Sequence, residues 1–588
     1  MMSRATIGEI KISGHSGSGW RCLSETRVME PGLEELLIRL EADKPLTPPP
    51  LTVSWELPML DMAIRWTPTA GFNRSIPPDW SAPSVSNLAT SAPLMTFISF
   101  NGDNRLTVAV SEAIRTVLLS GGVSEETNRL RCKLELFSGP EAPLEAYEVT
   151  VRIDSRRIFY AEAIATATAW YASLDAYQPA PVPVAAYEPL YSTWYSYHQE
   201  LFADELEKEC ELAKEYGLKG IIVDDGWQTD DNQRGYAFCG DWEISTRRFP
   251  DMRRHVEKIH RLGLKYLVWF SVPFVGDKSN AGKIFAGKFL YRRDNINTWV
   301  LDPRFPEVRE YLIGIYENAV KAWDIDGLKL DFIDNFRIEN KDPALNDNYS
   351  GRDIKSLPEA VDVLLTEAMR RLRQLKPDFL IEFRQSYIGP AIRKYGNMFR
   401  AADCPADAVA NRVRTIDLRL TSGTTAVHSD MLEWHKDETA EVAALQLLNV
   451  LFSVPQISVK LANLPESHRQ MLKSWLDFWR RHRNTLLHGK LRPYHPEMNY
   501  PLVSAEGAEE TIIAVYHPEQ IVKVSKGPGH VYHVVNATKN NELFLDLERV
   551  PARIEQYDVF WQKTILPGIS TGLTKINVPC SGLLSLYF

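Results

Sequence analysis

Much of the usual chemical equipment is missing from this chain. Its 588 residues hold six cysteines, Cys22, Cys132, Cys210, Cys239, Cys404 and Cys580. No two of them stand at the spacing of a metal-binding or redox pair, which points to free thiols in a reducing compartment. No apolar run is long enough to span a bilayer, and the opening MMSRATIGEIKISG lacks the apolar stretch of a signal peptide. A cytoplasmic location without a membrane partner is therefore expected. Neither sign of charge dominates, and a net charge of −9 argues against a nucleic-acid partner. There is no glycine-rich phosphate loop after a strand, no HExxH helix and no serine elbow. Neither a cofactor nor a metal is expected.

Aromatic residues, by contrast, are plentiful, with 15 Trp and 23 Tyr. Their flat apolar faces suit sugar rings as well as protein cores, and composition does not separate the two uses. Residues 1–177 carry short β-type runs such as LTVSWEL, LMTFISF and AYEVTVRI, set apart by turn formers, the pattern of an antiparallel sandwich. The proline-rich QPAPVPV opens a linker over 178–189. From 190 to 490 strand-like and helix-like runs alternate. Eight strand candidates, LYSTWYSY, GIIVDDGW, YLVWFSVPF, GLKLDFI, FLIEFRQSY, NMFRAAD, TTAVHSD and PQISVKL, predict a central (β/α)8 TIM barrel. From 491 to 588 β-type runs return, enough for a small C-terminal antiparallel β-sandwich. The stretch 276–298 reads as a long loop, a lid or a subunit contact.

In such barrels chemistry gathers at the C-terminal strand ends, and polar residues collect there. They are Asp224 and Asp225 with Trp227 on the second strand, Lys329 and Asp331 on the fourth, and Glu382, Arg384 and Gln385 on the fifth. The sixth contributes Arg400 and Asp403, and the seventh His428 and Asp430. Carboxylates, cations and aromatics around one mouth are what glycoside hydrolysis requires: one carboxylate to attack the anomeric carbon and one to move the proton.

The motifs VDDGW (223–227), GDWE (240–243), LDPRFPEVREYL (301–312), LKLD (328–331) and FRAADCPAD (399–407) resemble those of the α-galactosidases, or melibiases, of glycoside hydrolase family 36, whose clan includes families 27 and 31. The three-part layout agrees. The resemblance implies a retaining exo-α-galactosidase acting on a small oligosaccharide or galactoside, with Asp331 as nucleophile and Asp403 as general acid/base. It implies that Asp224, Asp225 and Lys329 bind sugar hydroxyls. Three segments depart from the family pattern: EFRQSYIGP replaces a Cys/Gly-rich segment, SVP (271–273) an acidic strand end, and RAAD the usual WTSD. Arg384 and Gln385 are thus candidates for contacts of their own, and Arg400 is expected to face the sugar or another carboxylate, since a cation would spoil an acid catalyst.

Each residue also has a plainer reading. Lys329 and Asp331 fit a structural ion pair, Asp403 a helix N-cap with Asp407 as its competitor, and Asp224 and Asp225 a turn before Gly226. Trp227, Trp242 and Trp194 fit packing as well as stacking, and His428 and Asp430 fit support of their strand as well as substrate contact. An α-N-acetylgalactosaminide or α-glucoside specificity, transfer of galactose to another sugar, a non-catalytic carbohydrate-binding role and a homo-oligomer all stay open.

Overall fold

A computed structural model describes residues 9–14, 19–139, 141–231 and 233–588; the first eight residues, part of the stretch read for a signal peptide, lie outside it. Eight strands, Leu190–Ser192, Gly220–Val223, Lys265–Ser271, Gly327–Asp331, Leu380–Arg384, Met398–Arg400, Ala426–His428 and Gln456–Ile457, pair in sequence order, all parallel. The eighth pairs with the first, and bridges His428–Val454 and Leu432–Ile457 join it to the seventh. The predicted barrel is therefore present. Its strands are shorter than the apolar runs suggested, because pairing stops where the chain turns over the mouth. Leu190, Ile222, Leu267, Leu380, Met398 and Ala426, one from each of six strands, form an apolar cluster with Ala186 of the linker. The linker is thus a packed element as well as a spacer, and Ala186 is fully buried.

Before the barrel, a five-stranded and a six-stranded antiparallel sheet face each other across a core that includes Trp20, Ile38, Trp55, Phe97 and Val149. One element there was not foreseen, the helix Tyr160–Ser173. After the barrel, a seven-stranded and a three-stranded sheet enclose a second core. This region is not wholly antiparallel: Glu510–Val515 pairs parallel with Val531–Asn536, and Ile521–Val524 with Glu542–Leu547. The supposed loop 276–298 is also structured. Phe274–Gly276, Phe289–Arg293 and Thr298–Leu301 form a small antiparallel sheet, with a short helix, Asn280–Ile284, between its strands.

The three regions meet at Asp417, fully buried on the helix Ala408–Thr421. Its carboxylate accepts hydrogen bonds from Arg74 (3.1 Å to each oxygen) and Trp66 (2.9 Å) of the N-terminal region and from Tyr500 of the C-terminal one. One guanidinium nitrogen, Nη2 of Arg74, serves both oxygens, and this buried pairing offsets a charge that burial would otherwise make costly. All six cysteines are free thiols. Among the described residues no helix is long and apolar enough to cross a membrane.

Candidate active site

Because every barrel strand runs the same way, the residues that follow the strands meet at one mouth. Leu328 and Leu330 of the fourth strand belong to the apolar core, so the alternating Lys329 and Asp331 point to the opposite face, the barrel interior. The register sets Lys329 between Trp269 and Glu382 on the neighbouring strands, and Asp331 beside Ser271.

Asp331 is held on nearly all sides. Its Oδ1 accepts hydrogen bonds from Arg384 Nε (2.7 Å), Tyr387 Oη (2.8 Å) and the Phe332 amide (2.8 Å), and its Oδ2 from Trp269 Nε1 (3.1 Å). Burial alone would push its pKa up. The charges of Arg384 and Lys329 and the bonds from Tyr387 and Trp269 outweigh that and hold the carboxyl well below the usual carboxylate range. It is therefore ionised, and Oδ2 keeps capacity for a further contact.

Lys329 does not pair with Asp331. Its Nζ lies 2.5 Å from Asp224 Oδ2, in a buried ion pair that joins the fourth strand to the end of the second over the third. Asp225 is clamped by Gln199 and Gln228, each donating an Nε2–H at 2.7 Å. Burial, with help from the neighbouring Asp224 charge, pushes its pKa up to about 7 against those hydrogen bonds. Gly226 makes the clamp possible: it adopts φ +119°, and a Cβ there would sit 2.6 Å from Gln199 Cα.

Asp403 lies three residues beyond the sixth strand, its side chain 52% exposed. Its backbone is fixed by Arg414, which donates to the carbonyls of Ala402 (2.9 Å) and Asp403 (2.7 Å). It does not cap a helix; Asp407 does, accepting from the Ala410 amide at 2.9 Å. The expectation for Arg400 needs correction. Its guanidinium does meet another carboxylate, Asp430, but Nη2 also donates to Asp403 Oδ1 at 2.9 Å. Burial and the charge of Asp331 push the Asp403 pKa up, Arg400 and Lys329 pull it down, and the net shift is downward. The two carboxylates, Asp331 and Asp403, are thus within electrostatic reach of each other.

Several predicted contacts turn out to be supports. Asp430 is fully buried and accepts from Arg400, Tyr195 Oη (2.8 Å) and the Cys404 amide (2.6 Å), which anchors the turn carrying Asp403. His428 is also fully buried and bonds the linker carbonyl of Ala186 at 2.8 Å, and burial lowers its pKa to about 4. Trp227 has no exposed surface; it packs on Trp242 (5.9 Å between centroids) and donates to the Trp269 carbonyl. Neither Trp227 nor Trp242 is open to a sugar, because both rings fill the layer behind the mouth. Trp194 is the half-buried ring of that group, with Arg234 over one face. Gln385 accepts from the Ala402 amide at 3.0 Å and so links the fifth strand's end to the turn before Asp403.

Trp269, Tyr387, Tyr195, Gln199 and Gln228 were not singled out from the sequence. An aromatic inside an apolar run carries no mark that separates a hydrogen-bond donor from core. Two grooves, of about 280 Å³ and about 1190 Å³, lie elsewhere and include neither Asp331 nor Asp403; chemistry rather than volume marks the site.

With this geometry in view, residues 177–383 match the family model described as Melibiase. The match covers about a third of the chain. The resemblance to glycoside hydrolase family 36 is borne out by its relatives. The chain is similar to Alpha-galactosidase Mel36A of Lactobacillus acidophilus, 29% identical over 24% of this chain and 20% of that protein. It is also similar to Alpha-galactosidase C of Emericella nidulans, 27% identical over 24% and 21%. The matched stretch thus spans about a fifth of the length of these curated relatives. Among solved structures, the α-galactosidase of Lactobacillus brevis superposes over 99% of this chain and 85% of its own with a TM-score of 0.61 at 14% identity. At that identity the likeness shows the fold, a barrel flanked by β-sandwiches.

Proposed function

We propose that this protein is a retaining exo-α-galactosidase that releases terminal α-linked galactose from small oligosaccharides. The observation that carries the reading is the ionised Asp331 fixed at the fourth strand end by Arg384, Tyr387 and Trp269, within electrostatic reach of the accessible Asp403. In this reading Asp331 attacks the anomeric carbon while Asp403 gives its proton to the leaving oxygen. Water, deprotonated by Asp403, then hydrolyses the glycosyl ester, and two inversions retain configuration. Before the first step the negative charge of Asp331 opposes the pull of Arg400 and Lys329 on the Asp403 pKa, and the net shift stays downward, which favours the base more than the acid. Ester formation removes that charge, so Asp403 becomes a stronger acid and sits deprotonated when a base is needed. Asp224, Lys329 and Asp225 are assigned to hydroxyls of the sugar, with Arg384, Gln385 and Arg400 shaping the walls. The sugar itself is inferred from relatives named α-galactosidases, and from solved neighbours of the Geobacillus stearothermophilus enzyme AgaA in complex with raffinose and with stachyose.

The test is a panel of nitrophenyl glycosides, followed by NMR of the first-released anomer. Turnover of the α-galactoside with initial release of α-galactose is expected. Faster turnover of the α-glucoside or α-N-acetylgalactosaminide would reassign the sugar, and β-galactose appearing first would sink the double displacement. Product oligosaccharides at high melibiose would make it a transferase, and binding without turnover a lectin-like protein.

A further inference from the structure

We propose that His482, Glu510 and His533 form a binding site for one divalent transition-metal ion, by its chemistry zinc, which fastens the seven-stranded C-terminal sheet to the last barrel helix. His482 lies near the end of the helix Glu466–His488. Glu510 begins the strand Glu510–Val515, and His533 sits in its parallel neighbour Val531–Asn536. Three segments from two regions of the fold therefore bring two imidazoles and a carboxylate to one point, with one ligand atom of each within 4.8 Å of the others. His482 Nδ1 is 2.8 Å from Glu510 Oε2, and His533 Nε2 is 3.6 Å from the same oxygen. A tetrahedral zinc with its ordinary bond lengths needs ligand atoms roughly 3.3 Å apart, so side-chain movements of at most about 1.5 Å close a set whose atoms lie within 4.8 Å of one another.

The surroundings are those of a ligand centre rather than of a plain ion pair. An ion pair with Glu510 needs one imidazole, and His482 supplies it; the second, His533, has its Nε2 beyond hydrogen-bond distance of the carboxylate. Its other nitrogen, Nδ1, is held by Ser585 Oγ at 2.9 Å. That bond fixes the ring with Nε2 turned to the cluster, as the outer partner of a ligating histidine does. The rings of His482 and His533 stand 4.6 Å apart, and two charged imidazolium groups there would repel. Phe478 packs against His482 at 4.4 Å and against Trp561 at 5.7 Å, giving the centre an apolar side. Glu510, its side chain 22% exposed, leaves a way in for the ion and for a water as fourth ligand. On binding, the proton between His482 Nδ1 and Glu510 leaves to solvent and the nitrogen lone pair takes the metal.

The experiment uses the full chain, stripped with a chelator, dialysed and titrated calorimetrically with zinc sulfate. One equivalent per chain is expected, with a higher melting temperature in the presence of zinc. The H482N/H533N double variant should lose affinity about a hundredfold and show no zinc-dependent rise, and S585A should lose roughly tenfold. No stoichiometric binding, or unchanged affinity in the double variant, would overturn the proposal. Should that variant not fold, cobalt(II) added to the wild-type chain decides. Intense visible bands of a four-coordinate nitrogen–oxygen site support the centre, and only the pale absorption of the aqua ion refutes it.

Discussion

Replacing Arg384 by glutamine tests how Asp331 is kept ionised. Arg384 Nε lies 2.7 Å from Asp331 Oδ1, and both side chains are mostly buried, 20% and 10% exposed. With charge centres about 4 Å apart and an effective dielectric constant near 20, the pair is worth about 4 kcal/mol. At 1.36 kcal/mol per unit, that is about three pH units of pKa depression. Removing the cation leaves Lys329, Tyr387 and Trp269 to oppose burial, so the Asp331 pKa should rise to the ordinary value of about 3.9 or above. The assay is kcat/KM for a nitrophenyl α-galactoside against pH, which reports groups of the free enzyme; nitrophenolate departs with little help from an acid, so the acid limb belongs to the nucleophile. The parent should show no acid limb above about pH 3, and R384Q one with a midpoint at about 4 or higher. Stability follows the same sign. A carboxyl whose folded pKa is depressed stabilises the fold above its unfolded pKa, and loses that contribution as pH falls through the folded value. R384Q should therefore be less stable than the parent at neutral pH, and the difference should shrink in acid. An acid limb unmoved by the substitution would mean that Arg384 does not control the titrating group, or that this group is not Asp331.

Three further outcomes are expected. D331G should lose turnover and regain part of it with azide, giving β-galactosyl azide; unimpaired turnover without azide would remove Asp331 from the nucleophile's role. D403A should lose about 10² to 10⁴ in kcat on raffinose-type substrates and much less on nitrophenyl galactosides, and equal losses on both would deny it proton transfer. D417A, which leaves Arg74 buried without its carboxylate, should cost about 3–5 kcal/mol, read as an earlier urea transition; a transition within error of the parent's would show that this junction does not hold the regions together.

The barrel was legible because each strand is a short apolar run bounded by helix-period sequence, and parallel strands covered on both faces read that way. The helix Tyr160–Ser173 was not, because YAEAIATATAWYAS is apolar nearly all round and shows little of the periodicity that betrays a surface helix. The sheet within 274–301 escaped for a related reason: its strands span only three to five residues, too few to show alternation. The parallel pairing in the C-terminal region could not be read, since strand patterning records which face is buried and not which strand lies alongside.

The amino-acid order alone pointed to the barrel class, and the resemblance of its motifs to the melibiases singled out Asp331 and Asp403 as candidates. Tertiary structure decided what surrounds them. The sequence expectation kept Arg400 away from Asp403, and only the placing of the sixth and seventh strands beside each other showed one guanidinium shared between Asp403 and Asp430. Likewise Trp269 and Tyr387 became partners of Asp331 only once three strands were in register. Local sequence fixes which residues a strand carries and which face they take; a charge and its hydrogen-bond partners interact over a few ångströms across strands far apart in the chain, and that distance exists only in the folded molecule.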